Sequence, residues 1–170
     1  MSGKAMRVGP RMLVAVLVAG ALSQAQLTLQ AQALTIEGVW AMTITLRDCT
    51  TTAPLGQPFR SILTFHQGGT ISESPANPGL APGQRTLGHG VWTHAGAATY
   101  SSKFLGAILF DTPPNPPASP GFLAGWQTGT QTAVLSDPDH LTTTGQIQFY
   151  DIHRVLYRTV CAAASGERFK

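Results

Sequence analysis

The chain has 170 residues, of which 43% are hydrophobic and 11% charged, a balance that suits one packed domain with a targeting segment. Three of its eleven Lys and Arg residues, Lys4, Arg7 and Arg11, stand near the N-terminus, and the rest balance the eight Asp and Glu. Without that leader no basic footprint for nucleic acid remains, and three Trp with seven Phe exclude a disordered chain.

The opening has the layout of a signal peptide. Lys4, Arg7 and Arg11 form a positive n-region, Met12 to Leu22 is an apolar run, and Ala31-Gln32-Ala33 matches a small-x-small cleavage site, with Ser23-Gln24-Ala25 as an earlier one. The alternative is a short membrane anchor. A spanning helix needs about 20 apolar residues, and Gln24, Gln26, Gln30 and Gln32 interrupt this stretch. The expected division is a signal peptide over residues 1–33 and one domain over 34–170, secreted or periplasmic, with no membrane span after cleavage. Cys49 and Cys161 are an even pair in an export context, which favours a disulfide over two free thiols.

From Trp40 to Leu46 the even positions are Trp, Met, Ile and Leu and the odd ones Ala, Thr and Thr. Alternation of period two marks a strand with one face in a core. A Thr/Pro/Gly loop over Thr50–Pro58 leads to a second strand, Phe59–Phe65, and His66-Gln67-Gly68-Gly69 makes a tight turn into a third, Thr70–Glu73. Ser74–Gly88, rich in Pro and Gly, reads as a long loop. A fourth strand starts at Gly90-Val91-Trp92-Thr93-His94, and Thr99–Phe110 is the fifth. The prolines of Asp111–Pro120 cannot join a sheet interior. Phe122–Leu135, Leu141–Tyr150 and Val155–Cys161 complete eight strands, joined by turns at Ser136–Asp139 and Asp151–Arg154. No helical period appears after the leader.

Eight strands joined in sequence predict an all-β, mostly up-and-down antiparallel barrel. In such a meander the three long loops all fall at one end, together with the Asp151–Arg154 turn, and every connection at the other end is short, giving an elaborated mouth where ligands bind. The disulfide conflicts with this layout. With an eighth strand ending at Cys161, Cys49 lies at the mouth and Cys161 near the base, beyond the roughly 7 Å that a bridge spans. Either the thiols stay apart or Ser74–Gly88 is a crossover.

A leader, Gly38-x-Trp40 opening the first strand and a meander of eight strands resemble the lipocalin and calycin group. The likeness is one of architecture, and barrels of the allene oxide cyclase and dirigent type are nearly as similar. It implies that Gly38 and Trp40 sit at the base and that Arg158, late in the last strand, packs over the indole.

For chemistry the sequence offers little. It holds no Gly-x-Ser-x-Gly, His-Glu-x-x-His, phosphate loop or Cys-x-x-Cys. His89 and His94 face opposite sides of a strand, and Asp137, Asp139 and His140 form a turn, where such residues more often hold the turn than a cation. His66, Asp151 and His153 read as turn residues too. No metal or cofactor is called for. Arg47, Asp48 and Arg60 either orient an anionic ligand at a rim or point outward as solvated charges. The aromatics Trp40, Phe65, Trp92, Tyr100, Phe104, Trp126, Phe149 and Tyr157 either line a ligand pocket or fill the barrel. Three functions are expected to compete: a non-catalytic barrel for a small apolar or amphipathic molecule, a barrel isomerase or cyclase, and an interaction domain with a filled core. An isomerase needs a buried ionisable group, for which Glu73, His94 and Lys103 are candidates, although a glutamate at a strand end is more often on the surface.

Overall fold

The alternating segments pair one after another around a ring. The computed structural model describes residues 35–110 and 122–170, so the leader and the whole of the Asp111–Pro120 loop lie outside the described residues. Eight strands, β1 (Gly38–Arg47), β2 (Phe59–His66), β3 (Thr70–Pro75), β4 (Gly88–Gly96), β5 (Thr99–Phe110), β6 (Phe122–Leu135), β7 (His140–Asp151) and β8 (Leu156–Arg168), form a closed barrel in chain order. Every pairing is antiparallel, including that of β1 with β8. The long connections therefore share one end, the mouth, with the short β7–β8 turn, and the other three short turns share the base. At one of these turns Gly68 and Gly69 both hold positive φ, 88° and 87°, which the tight β2–β3 reversal requires.

Seven strands lie where the alternation puts them, and the eighth is longer than expected. It runs on past Cys161 through Ala162-Ala163-Ala164-Ser165-Gly166 to Arg168. These small residues carry no period-two signal, because the space before them is filled from neighbouring strands. Ile44 pairs with Ala164, and a Cβ at Gly166 would collide with the Met42 sulfur. The extension resolves the disulfide conflict. Cys161 sits mid-strand opposite Arg47, and Cys49 and Cys161 are bonded with their Cα atoms 5.0 Å apart. No crossover occurs, since Ser74–Gly88 joins two adjacent strands.

The register also fixes the size of the barrel. Partners followed round from Val39 through Thr64, Ser72, His89, Leu105, Thr128 and Gln148 arrive at Thr159. That is ten residues before Phe169, whose amide donates to the Val39 carbonyl. Such a stagger tilts the strands, and eight of them then enclose a space that side chains can fill or that one small ligand can share.

The base half is filled. Ile36, Trp40, Phe65, Ile71 and Leu141 are fully buried, with Met42, Leu63, Tyr100 and Leu135 packed among them. The Trp40 indole N–H donates to the Ile36 carbonyl at 2.9 Å. Arg168, not Arg158, lies over the Trp40 ring, its guanidinium carbon 4.3 Å from the centroid. It donates to the carbonyls of Glu37, of Thr35 at 2.6 Å and of Pro138 at 2.6 Å. Gly38 lies beneath it, and a Cβ there would stand 2.7 Å from the guanidinium. Arg158 belongs to the mouth end of the longer β8 and sits 5.7 Å from the Phe149 ring centroid.

Candidate functional site

Above this filled base the inward positions shrink. Gly129 on β6, Thr143 and Gly145 on β7, and Ala162 and Ala164 on β8 are too small to meet across the barrel. A cavity remains between them and Met42, Ile44, Phe59, Leu63, Phe104 and Ile147, with Phe149 and Asn77 also on its wall. Its volume is about 50 Å³, room for a few water molecules and well under the roughly 300–1,000 Å³ of pockets for drug-sized ligands. Gly129 is required here, because a Cβ would overlap the Phe104 ring.

One wall is charged. Glu73 follows Ile71 on the inward face of β3 and is buried, where a surface position was the ordinary expectation. Its partner is Arg85, from the loop between β3 and β4. That loop doubles back along β5: the Leu109 amide donates to the Gln84 carbonyl at 2.7 Å and the Thr86 amide to the Ala107 carbonyl at 3.0 Å. The pairing drives the Arg85 side chain inward until only 4% of it is exposed. There its Nη2 donates to Glu73 Oε2 at 2.6 Å, its Nε to Gln127 Oε1, and its Nη1 to the Thr86 carbonyl at 3.0 Å. Gly106 makes the room, since a Cβ would stand 3.1 Å from the guanidinium. Burial pushes the Glu73 carboxyl above its ordinary pKa, and the adjacent Arg85 charge only partly opposes this.

The predicted pocket aromatics divide by height and face. Phe104 and Phe149 line the cavity. Trp40, Phe65 and Tyr100 fill the base instead. Trp92 packs beside them with its ring centroid 6.0 Å from Phe65 and 5.8 Å from Tyr100, and its N–H donates to the His66 carbonyl. Trp126 faces outward, in a shallow groove with Leu105, Thr128, Tyr150 and Arg154, because the inward parity of β6 belongs to Gln127 and Gly129. Tyr157 is 60% exposed on the outside of the mouth. Neither belongs to the cavity.

The remaining polar candidates are engaged elsewhere. Lys103 points outward, and His94 is exposed at the base, its Nε2 2.7 Å from the Ala97 carbonyl oxygen. His66 meets Ser72, and Asp151 accepts from the His153 and Val155 amides. Asp48 accepts from the Thr50 and Thr51 amides, which hold its carboxyl below the usual range. Arg60 donates to Thr43 on the outer surface. Among the described residues no group of three His, Cys, Asp or Glu could hold a metal ion. Two buried polar atoms on neighbouring inward positions, Ser102 Oγ and Gln131 Nε2, have no hydrogen-bond partner among the described residues.

In the β6–β7 turn, Asp137 accepts from the Asp139 and His140 amides and from the His140 ring. The ring hydrogen bond raises the His140 pKa. The stability this pair contributes is complete below the ordinary histidine value and is lost as pH rises through the raised one. Replacing Asp137 with Asn is expected to bring the His140 transition back down, read from its Cε1–H signal in an NMR pH titration.

Arg85 escaped the sequence reading because nothing in a Pro/Gly-rich loop marks one residue as inward. The available signal was Glu73, an acid at an inward parity that demands a cation. No protein-family model matches the chain, and no functionally described protein matches its sequence.

Proposed function

We propose that this chain is a secreted or periplasmic barrel that binds a small apolar or amphipathic molecule without transforming it. The observation that carries the reading is the cavity above a filled base, apolar on most of its wall and polar at a few fixed points, which is the usual composition of a small-molecule site. The Cys49–Cys161 bond is consistent with an oxidising compartment. Thr128, Thr130 and Thr132 occupy successive outward positions of β6, which puts polar side chains on the middle of that strand's outer face. A relation to the lipocalin and calycin group is supported by Gly38-x-Trp40 at the base with Arg168 over the indole. The allene oxide cyclase and dirigent type of barrel remains the alternative parentage.

Methyl-resolved NMR with hexane-saturated buffer tests the reading. Signals from Ile44, Leu63 and Ile147 are expected to shift while those of Leu135 in the filled base stay in place. No shift at the cavity methyls would overturn it.

A barrel isomerase is the second reading, favoured by one observation: Glu73 is a buried carboxyl with a raised pKa on the cavity wall. Its engagement with Arg85 favours a structural and binding role over that of a free base.

A further inference from the structure

Resting on the binding role proposed above, the geometry points to the kind of head group that the cavity takes: we infer that it is a neutral amide, with its N–H beside its C=O. Arg85 fixes two neighbours at once. Its Nε and Nη2, the adjacent nitrogens of one guanidinium edge, hold Gln127 Oε1 and Glu73 Oε2 side by side. Because a guanidinium only donates, Gln127 must give it the amide oxygen. The Gln127 amino group is therefore left as a donor, with no hydrogen-bond partner among the described residues. Glu73 uses only Oε2, so Oε1 is left as an acceptor on the same terms. Both residues line the cavity.

One donor and one acceptor, on two residues that Arg85 holds side by side at the cavity wall, complement a C=O beside an N–H. The carbonyl accepts from Gln127 Nε2 and the N–H donates to Glu73 Oε1, while the apolar remainder runs along Met42, Ile44 and Ile147. Charged heads fit badly. A carboxylate faces the Glu73 carboxylate, and drawing Arg85 towards itself would leave Glu73 buried without its counter-ion. An ammonium faces both Arg85 and the Gln127 amino group, and the Glu73 carboxylate it would seek is already paired with Arg85. A hydroxyl accepts and donates through one oxygen, where an amide meets the two positions with separate atoms, and is the nearest competitor. The small volume limits the occupant to the head and a few carbons of a slender chain.

The test uses the oxidised barrel with hexanamide, hexan-1-ol, hexanoate, hexylamine and hexane at pH 7.5, with affinities taken from shifts of the cavity methyls. Hexanamide is expected to bind about tenfold more tightly than hexane, the yield of one to two hydrogen bonds made in a desolvated site. It is also expected to exceed hexanol severalfold, with hexanoate and hexylamine weakest. In Gln127→Met the preference for hexanamide over hexane should fall to about onefold, and Glu73→Gln, if it folds, should reduce it similarly. Equal or tighter binding of hexanol, hexanoate or hexylamine overturns the inference, as does an unchanged preference in Gln127→Met. If hexane shifts the methyls and the amide preference is missing, the head-group assignment alone has failed. If no compound shifts them, the binding role itself has failed.

Discussion

Replacing Glu73 with Leu is expected to destabilise the barrel by about 3–5 kcal/mol, while the double replacement Glu73→Leu with Arg85→Met returns close to the parent. The asymmetry follows from burial. With both side chains under a tenth exposed, removing the carboxylate strands a guanidinium away from water, whereas removing both partners removes the charge problem itself. Urea unfolding of the parent, the single and the double variant measures this directly. A single variant costing less than about 1 kcal/mol would mean that Arg85 simply swings out to solvent, in which case the loop from Ala76 to Leu87 is not held from inside. The pair also carries a pH signature. The folded-state pKa of Glu73 is raised above its unfolded value. Between the two values the folded chain therefore holds more protons than the unfolded one. Stability from this group falls as pH rises through that window, which opens near the ordinary carboxyl value. Glu73→Gln should flatten that part of the stability curve.

Breaking the Cys49–Cys161 bond is the second large effect. The bond closes a separation of 112 residues, and for loops of that length the chain-entropy account gives about 4–5 kcal/mol. It also fastens β1 to β8 beside the mouth, just where the β1 ladder ends at Arg47 opposite Cys161. The Cys49→Ser, Cys161→Ser double variant is expected to lose that much unfolding free energy, read as a lower urea midpoint, with an unchanged circular dichroism spectrum before the transition. A loss below about 1 kcal/mol would show that the closed ladder already restrains the unfolded chain as much as the bond does.

The strand meander was legible because half-buried strands must alternate, and from Trp40 to Leu46 or Phe59 to Phe65 they do so cleanly. It failed where the barrel needed small residues. Ala162 to Gly166 make way for Met42, Ile44 and Leu141 and so lose the apolar side chains that would have announced a strand. The mistake about arginine has that cause: a strand ended too early at Cys161 promoted Arg158 to a place that Arg168 fills. The cavity was less legible still. Its space is made by Gly129, Gly145, Ala162 and Ala164, and absent side chains leave little trace in a pattern of apolar residues. Aromatic content pointed to Trp126 and Tyr157, whose parity and position send them outside. Counting parity from Gln127 and Gly129 would have corrected the first.

The join between the first and last strands is secured twice, by a covalent bond at one end and by an arginine clasped over an indole at the other. A closed wall so fastened cannot part where its chain ends meet, and thermal breathing shifts to the next weakest line. That line is the short ladder of β3 with β4, which runs only from Thr70–Val91 to Glu73–Gly88. It ends at the buried carboxylate on the cavity wall, so the shortest seam of the cylinder and its interior charge pair lie at the same place.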